Sequence, residues 1–254
     1  MKLAILQGAT LSLVIRVAAA GLILGQSVLL ARLMTPEDFG LFNYLVVTTG
    51  LLALILQWGM DKSAIRFLPA YVADGNIGAI RTFTAWSFRR MVKLAPVAAL
   101  AAIALTIAAT GTGVTPVVWL CAALVCLALA AVQFLQQIER GFKRIGRSQV
   151  FEQIVMPALV LCWAAGFWLL RDAVSVGAIM VGYFASMLLC FLMLGRSVSS
   201  NLSRRRRESG SRVASENDDE SRWRSVGFSL AIGGLMSYLL IRGEILIVGW
   251  FLEG

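Results

Sequence analysis

The chain contains no histidine, which removes at one stroke the commonest general base and the commonest transition-metal ligand. Its four cysteines, Cys121, Cys126, Cys162 and Cys190, all fall within apolar runs and none has the C-x-x-C spacing of a metal or redox site. They read as small packing residues. Carboxylates are scarce as well: Asp61, Asp74, Glu139 and Glu152 stand singly beside the apolar runs, with no Asp-rich or Gly-rich phosphate motif near them. A glycosyl- or phosphotransferase working beside a membrane needs clustered acids for metal or base chemistry. The expectation is a protein that is not an enzyme, with no cofactor and no metal site.

What the chain has in abundance is apolar sequence. It is 59% hydrophobic, with a mean hydropathy of +0.80, against roughly 45–50% apolar residues in soluble domains. Seven apolar runs stand out: Leu11 to Leu33, Leu41 to Met60, Leu94 to Thr110, Val114 to Leu135, Val155 to Leu170, Val174 to Leu194 and Val226 to Trp250. A bilayer core takes about 20 apolar residues as helix, about 17 at the short end, and two of the runs sit at that limit. The expected fold is all-α, a polytopic membrane protein of seven transmembrane helices. Residues 1–196 form a six-helix lobe, 197–225 a flexible cytoplasmic linker, and 226–254 a seventh helix that opens a second lobe.

Orientation follows from the 23 Lys and Arg residues. Lys2 precedes the first run; Lys62, Arg66, Arg81, Arg89, Arg90 and Lys93 lie between the second and third; Arg140, Lys143, Arg144 and Arg147 lie between the fourth and fifth. Arg196, Arg204 to Arg207, Arg212, Arg222 and Arg224 lie between the sixth and seventh, whereas the alternate connections carry only Arg32 and Arg171. Cytoplasmic loops hold the excess of basic residues, so the N-terminus is expected in the cytoplasm of a cell whose inner membrane the chain crosses. The net charge of +9 is what this topology demands, and no nucleic-acid partner is inferred from it. Lys2 with Ala18-Ala19-Ala20 imitates a signal peptide, but apolar sequence runs on to Leu33 and the first helix is retained.

Short turns at Gly111 to Gly113 and Arg171 to Ala173 predict two antiparallel hairpins from the third to the sixth helix. In the longer connection, Ile77, Ile80, Phe83, Ser87 and Met91 recur at helical intervals among arginines, which predicts a helix lying along the inner headgroup layer. Ser197 to Ser225 is rich in Ser, Arg, Glu, Asp and Asn and reads as a flexible linker. Arg204 to Arg207 read as a block that holds this loop inside, with anionic membrane lipid as the other reading.

Two cations remain inside the runs. Arg16 lies near the inner end of the first, where it either snorkels to the headgroups or shares a polar face with Ser12, Ile23 and Ser27. Arg242 lies deep in the seventh, where an unpaired arginine costs about 2.5–3.5 kcal/mol on insertion scales. It therefore needs a hydrated cavity, an anionic ligand or an intramembrane ion pair that registers helices. Glu244, two positions on, is turned by about 200° and cannot share its face; it shares one with Ser237 and Gly233. The candidate substrate-binding residues are thus Arg16, Arg242, Ser12, Ser27, Ser237 and Glu244, because guanidinium matches phosphate oxygens bidentately.

The wording around these helices is more specific. Thr35 caps the second helix with Pro36 at its first position and Glu37 and Asp38 in its first turn. The stretch L-L-A-R-L-M-T-P-E-D-F-G-L-F, then Leu56-Gln57-Trp58-Gly59-Met60-Asp61 and Arg66-Phe67-Leu68-Pro69, resembles the polysaccharide biosynthesis protein family, the O-antigen flippases of the multidrug/oligosaccharidyl-lipid/polysaccharide exporter superfamily. Arg242-Gly243-Glu244-Ile245-Leu246-Ile247-Val248-Gly249-Trp250-Phe251-Leu252 resembles its seventh helix, with Glu244 where an Asp is usual.

The resemblance implies two six-helix lobes about a central cavity, alternating access, and passage of an undecaprenyl-diphosphate-linked oligosaccharide to the outer leaflet. Five helices of the second lobe are absent here, so a truncated half is expected. It also implies a lipid-linked oligosaccharide, membrane lipids, a polysaccharide polymerase and other envelope-assembly proteins, or a complementary second lobe, as partners. A cation-coupled drug exporter of the same superfamily is the second reading; it would use membrane-embedded Asp or Glu, which the first six runs lack. A non-transporting membrane partner of polysaccharide assembly is the third.

Overall fold

In a computed structural model of the protein, the structure describes residues 2–110, 115–142, 145–170, 174–208 and 216–251. Among them there is no strand. The helices are α1 (Lys2–Leu33), α2 (Pro36–Gln57), α3 (Met60–Ala73), α4 (Ile77–Thr110), α5 (Pro116–Gly141), α6 (Ile145–Val150), α7 (Met156–Leu170), α8 (Val176–Glu208) and α9 (Glu216–Phe251), with a π-helical stretch, Phe151–Val155, joining α6 to α7. Six helices are long and apolar enough to cross a membrane, and a shorter apolar one, Gln153–Leu169, makes the seventh. The protein is a polytopic all-α membrane protein, as the apolar runs predict.

Local chemistry sets the first turn. The Thr35 hydroxyl accepts from the Asp38 N–H at 3.2 Å, Pro36 opens α2, and Glu37 and Asp38 sit at its positive end. At the other end Trp58 adopts a left-handed conformation (φ 48°) and Gly59 follows at φ 73°, so that α3 leaves at a sharp angle. Only glycine serves at 59: a Cβ there would collide with the Gly227 carbonyl of α9, which passes directly over the turn.

The core is organised around α5, which packs on α8, α4, α3 and α2. Leu45, Phe83, Phe134, Ile138, Ile179, Met180 and Met187 are fully enclosed there. The expected hairpins are seen as the paired α4–α5 and α7–α8, although their connecting turns lie partly outside the described residues. α1 packs mainly on α7, and α9 lies on α2 and α3 at the rim. Both leave long apolar faces uncovered by protein, Leu13, Val17 and Leu24 on one and Ile232, Leu240 and Ile241 on the other.

Two sequence expectations differ from this arrangement. The stripe expected to lie in the headgroup layer belongs to the first half of α4, and Ile80, Phe83, Ser87 and Met91 are buried against protein. α3, a separate helix that hydropathy did not reveal, supplies the covering surface: Phe67 meets Phe83 with ring centroids 6.3 Å apart. The segment expected as a linker is helical where it is described, α8 continuing to Glu208 and α9 starting at Glu216. Residues 209–215 lie outside the described ones.

The reason α9 begins so early is an aromatic socket. Trp223 is 2% exposed; its ring meets Phe83 edge-on at 5.2 Å and Trp86 at 5.6 Å, and its indole N–H donates to the Tyr71 hydroxyl at 2.9 Å. Arg222 lies over the Phe67 ring at 5.6 Å and Arg90 over Trp86 at 5.7 Å.

Candidate functional site

Polar residues inside membrane-length helices mark the interior, because each needs a partner that lipid does not supply. Here they converge on one cavity of about 270 Å³ between α2, α5, α8 and α9, with Met156 of α7 at its edge. Its polar lining is Asn43, Gln133, Gln136, Tyr183, Tyr238 and Arg242. Tyr238 and Arg242 reach it together because they are four residues apart on α9 and so share a face. Among the described residues no carboxylate lines it.

The wall between α2 and α9 is held by a specific close approach. The Tyr238 hydroxyl donates to the Val47 carbonyl at 2.8 Å, midway along α2. Gly50, one turn on, makes room for it, since a Cβ there would overlap the phenol oxygen. On the α8 side Tyr183 is buried and meets Phe42 edge-on at 6.2 Å. On α5, Gln133 accepts from the Gln57 amide at 2.6 Å.

Of the residues that the sequence singles out, Arg242 lines this cavity. Arg16 does not; it stands with Ile23 and Ser27 on the uncovered face of α1, which packs on α7 away from α9. Ser237 and Glu244 are exposed and point away from the lining, as the 200° turn from Arg242 requires. The side chain of Ser12 lies outside the described residues. The five other polar lining residues escape a reading based on charge, yet three of them carry a visible signal: Asn43, Gln133 and Gln136 interrupt or border apolar runs, the last two at a spacing of three that shares a helix face.

A second polar feature lies toward the C-terminal end of α5. Hydropathy ends the fourth run at Leu135, but α5 continues to Gly141 and encloses Glu139 completely, at 0% exposure. Ser197 donates to its Oε1 at 2.5 Å, and the Asn201 amide approaches the same oxygen at 3.5 Å. Oε2 has no hydrogen-bond partner. The first six membrane helices therefore do contain a carboxylate, which charge counting along the apolar runs does not reveal. Near the inner end of α2, burial pushes the Asp61 carboxyl above its ordinary range, with the backbone N–H and ammonium of Lys62 opposing. Among the described residues, no group of three or more His, Cys, Asp or Glu side chains is placed to hold a metal ion.

Fold and site together define a multi-pass helical membrane protein with an open cavity lined by an arginine and amides of its helices. The family model of the polysaccharide biosynthesis proteins matches residues 5–254. The chain belongs to that family, and with it to polysaccharide biosynthesis. Neither the curated proteins nor the solved structures compared with it gave a match.

Proposed function

We propose that the protein is a flippase that carries a polysaccharide precursor, an oligosaccharide on undecaprenyl diphosphate, across the cytoplasmic membrane, and that it does so without catalysing a reaction. The observation that carries this reading is the cavity itself: a guanidinium and three carboxamides with no carboxylate in the lining. The Arg242 fork suits a diphosphate, while amides, being donors and acceptors at once, suit sugar hydroxyls. The same inventory disfavours a cationic drug, which would meet Arg242 with nothing to balance its own charge. Glu139 leaves room for cation-coupled transport without making the substrate cationic.

The test is translocation in vesicles. Wild-type protein reconstituted into liposomes that contain a radiolabelled undecaprenyl-diphosphate sugar is expected to expose label to an impermeant glycosidase faster than protein-free liposomes do. Equal rates from well-incorporated protein sink the flippase reading and leave that of a non-transporting partner in polysaccharide assembly.

The basic connections support a cytoplasmic N-terminus and a cytoplasmic 197–225 segment. In a variant whose four native cysteines are replaced, a cysteine at Ser211 is expected to resist an impermeant maleimide added to intact cells and to react after lysis. Labelling from outside overturns the orientation.

A further inference from the structure

The volume of the cavity limits what it can grip. About 270 Å³ is at or below the low end of the ~300–1,000 Å³ typical of small-molecule sites, which leaves no room for an oligosaccharide. Whatever Arg242 holds, only the chemical group next to it shares the chamber. Gln133 lines that chamber, and its orientation is fixed from outside the lining: Gln57, 2% exposed, donates its amide N–H to Gln133 Oε1 at 2.6 Å. This tether occupies the Gln133 carbonyl and leaves its two amide N–H donors for a ligand.

Gln57 Oε1 is buried without a hydrogen-bond partner. It lies behind the lining, so the wall meets a ligand through Gln133 and not through Gln57. Gln136, one turn along α5, lines the same wall. Amide N–H donors in the wall complement a hydroxyl oxygen, which can accept from them.

We infer that Gln133, tethered by Gln57, is a specificity-determining residue that reads the hydroxyls of the sugar joined directly to the anionic group at Arg242. This rests on the reading of the cavity as a diphosphate site. A wall built to hydrogen-bond a hydroxyl rejects a ligand that lacks it, because its own polar groups are then left unpaired. The bare diphosphate lipid is therefore held less well than the glycosylated one.

The experiment compares binding of three probes to the full chain in nanodiscs: undecaprenyl diphosphate, and the same lipid carrying one hexose or one N-acetylhexosamine. Wild type is expected to bind at least one glycosylated lipid on the order of tenfold more tightly than the bare one, equivalent to about 1.4 kcal/mol. Gln133→Met, which keeps length and shape but removes the amide, is expected to abolish that preference by weakening the glycosylated lipids by about tenfold more than the bare one. Gln57→Met, which releases the tether and leaves Gln133 in place, reduces the preference and provides the reading should Gln133→Met fail to fold. A merely structural glutamine would lower binding of all three probes together. If Gln133→Met and Gln57→Met keep the wild-type preference, or wild type shows none, the inference is overturned. If Arg242→Gln leaves the bare diphosphate lipid bound as before, the diphosphate reading fails instead.

Discussion

Arg242→Gln is expected to reduce polysaccharide export by about a hundredfold, with normal amounts of protein in the membrane. The estimate takes about 3 kcal/mol for losing charge-assisted hydrogen bonds to an anion inside a cavity, at 1.4 kcal/mol per factor of ten. Arg242→Lys keeps the charge but loses the planar fork, and is expected to fall between wild type and the glutamine variant. Arg16→Gln, on the open face of α1 away from the cavity, is expected to leave export close to wild type. Complementation of an export-deficient strain, with membrane abundance measured by immunoblot, reads all three. Normal export by Arg242→Gln at normal abundance returns this arginine to a role in helix registry.

Trp223→Ala is expected to cost about 3–5 kcal/mol of stability, the range for truncating a large aromatic in a packed core, and to loosen α9 from the bundle. The side chain loses its ring contacts with Phe83 and Trp86 and the hydrogen bond that its indole N–H gives the Tyr71 hydroxyl. Because α9 lies mainly on α2 and α3, this socket holds its N-terminal part. Disorder of α9 should reach Tyr238 and Arg242, so the variant is also expected to export poorly. Trp223→Phe keeps ring contacts and should recover much of the loss. Thermal unfolding in detergent, followed by loss of monodisperse protein, measures the stability; an alanine variant within 1 °C of wild type would mean that α9 is held elsewhere.

The amino-acid sequence alone was enough to place the membrane helices, the capped start of α2 at Thr35, and the family. Each of these is local. A membrane-spanning helix must satisfy its own backbone hydrogen bonds and present little but apolar side chains to lipid, so its signature is written along a single stretch of chain. The absence of histidine is equally plain without any structure.

Which intramembrane polar groups meet was decided by the tertiary structure. Arg16 and Arg242 look alike as buried-run cations, but one faces outward from α1 and the other joins Asn43, Gln133 and Tyr183, because the rotation of each helix and its choice of neighbours depend on partners far away in the chain. Glu139 lies beyond the apolar run by composition, yet Ser197 and Asn201, about sixty positions on, bring it inside. Ser197 to Ser225 is polar enough to read as unstructured, but α8 runs on to Glu208, and Trp223, buried among aromatic partners on α3 and α4, holds the first turns of α9 from Glu216 on. Hydropathy is a property of one helix at a time; a cavity is a property of the faces several helices turn toward one another, and only packing chooses those.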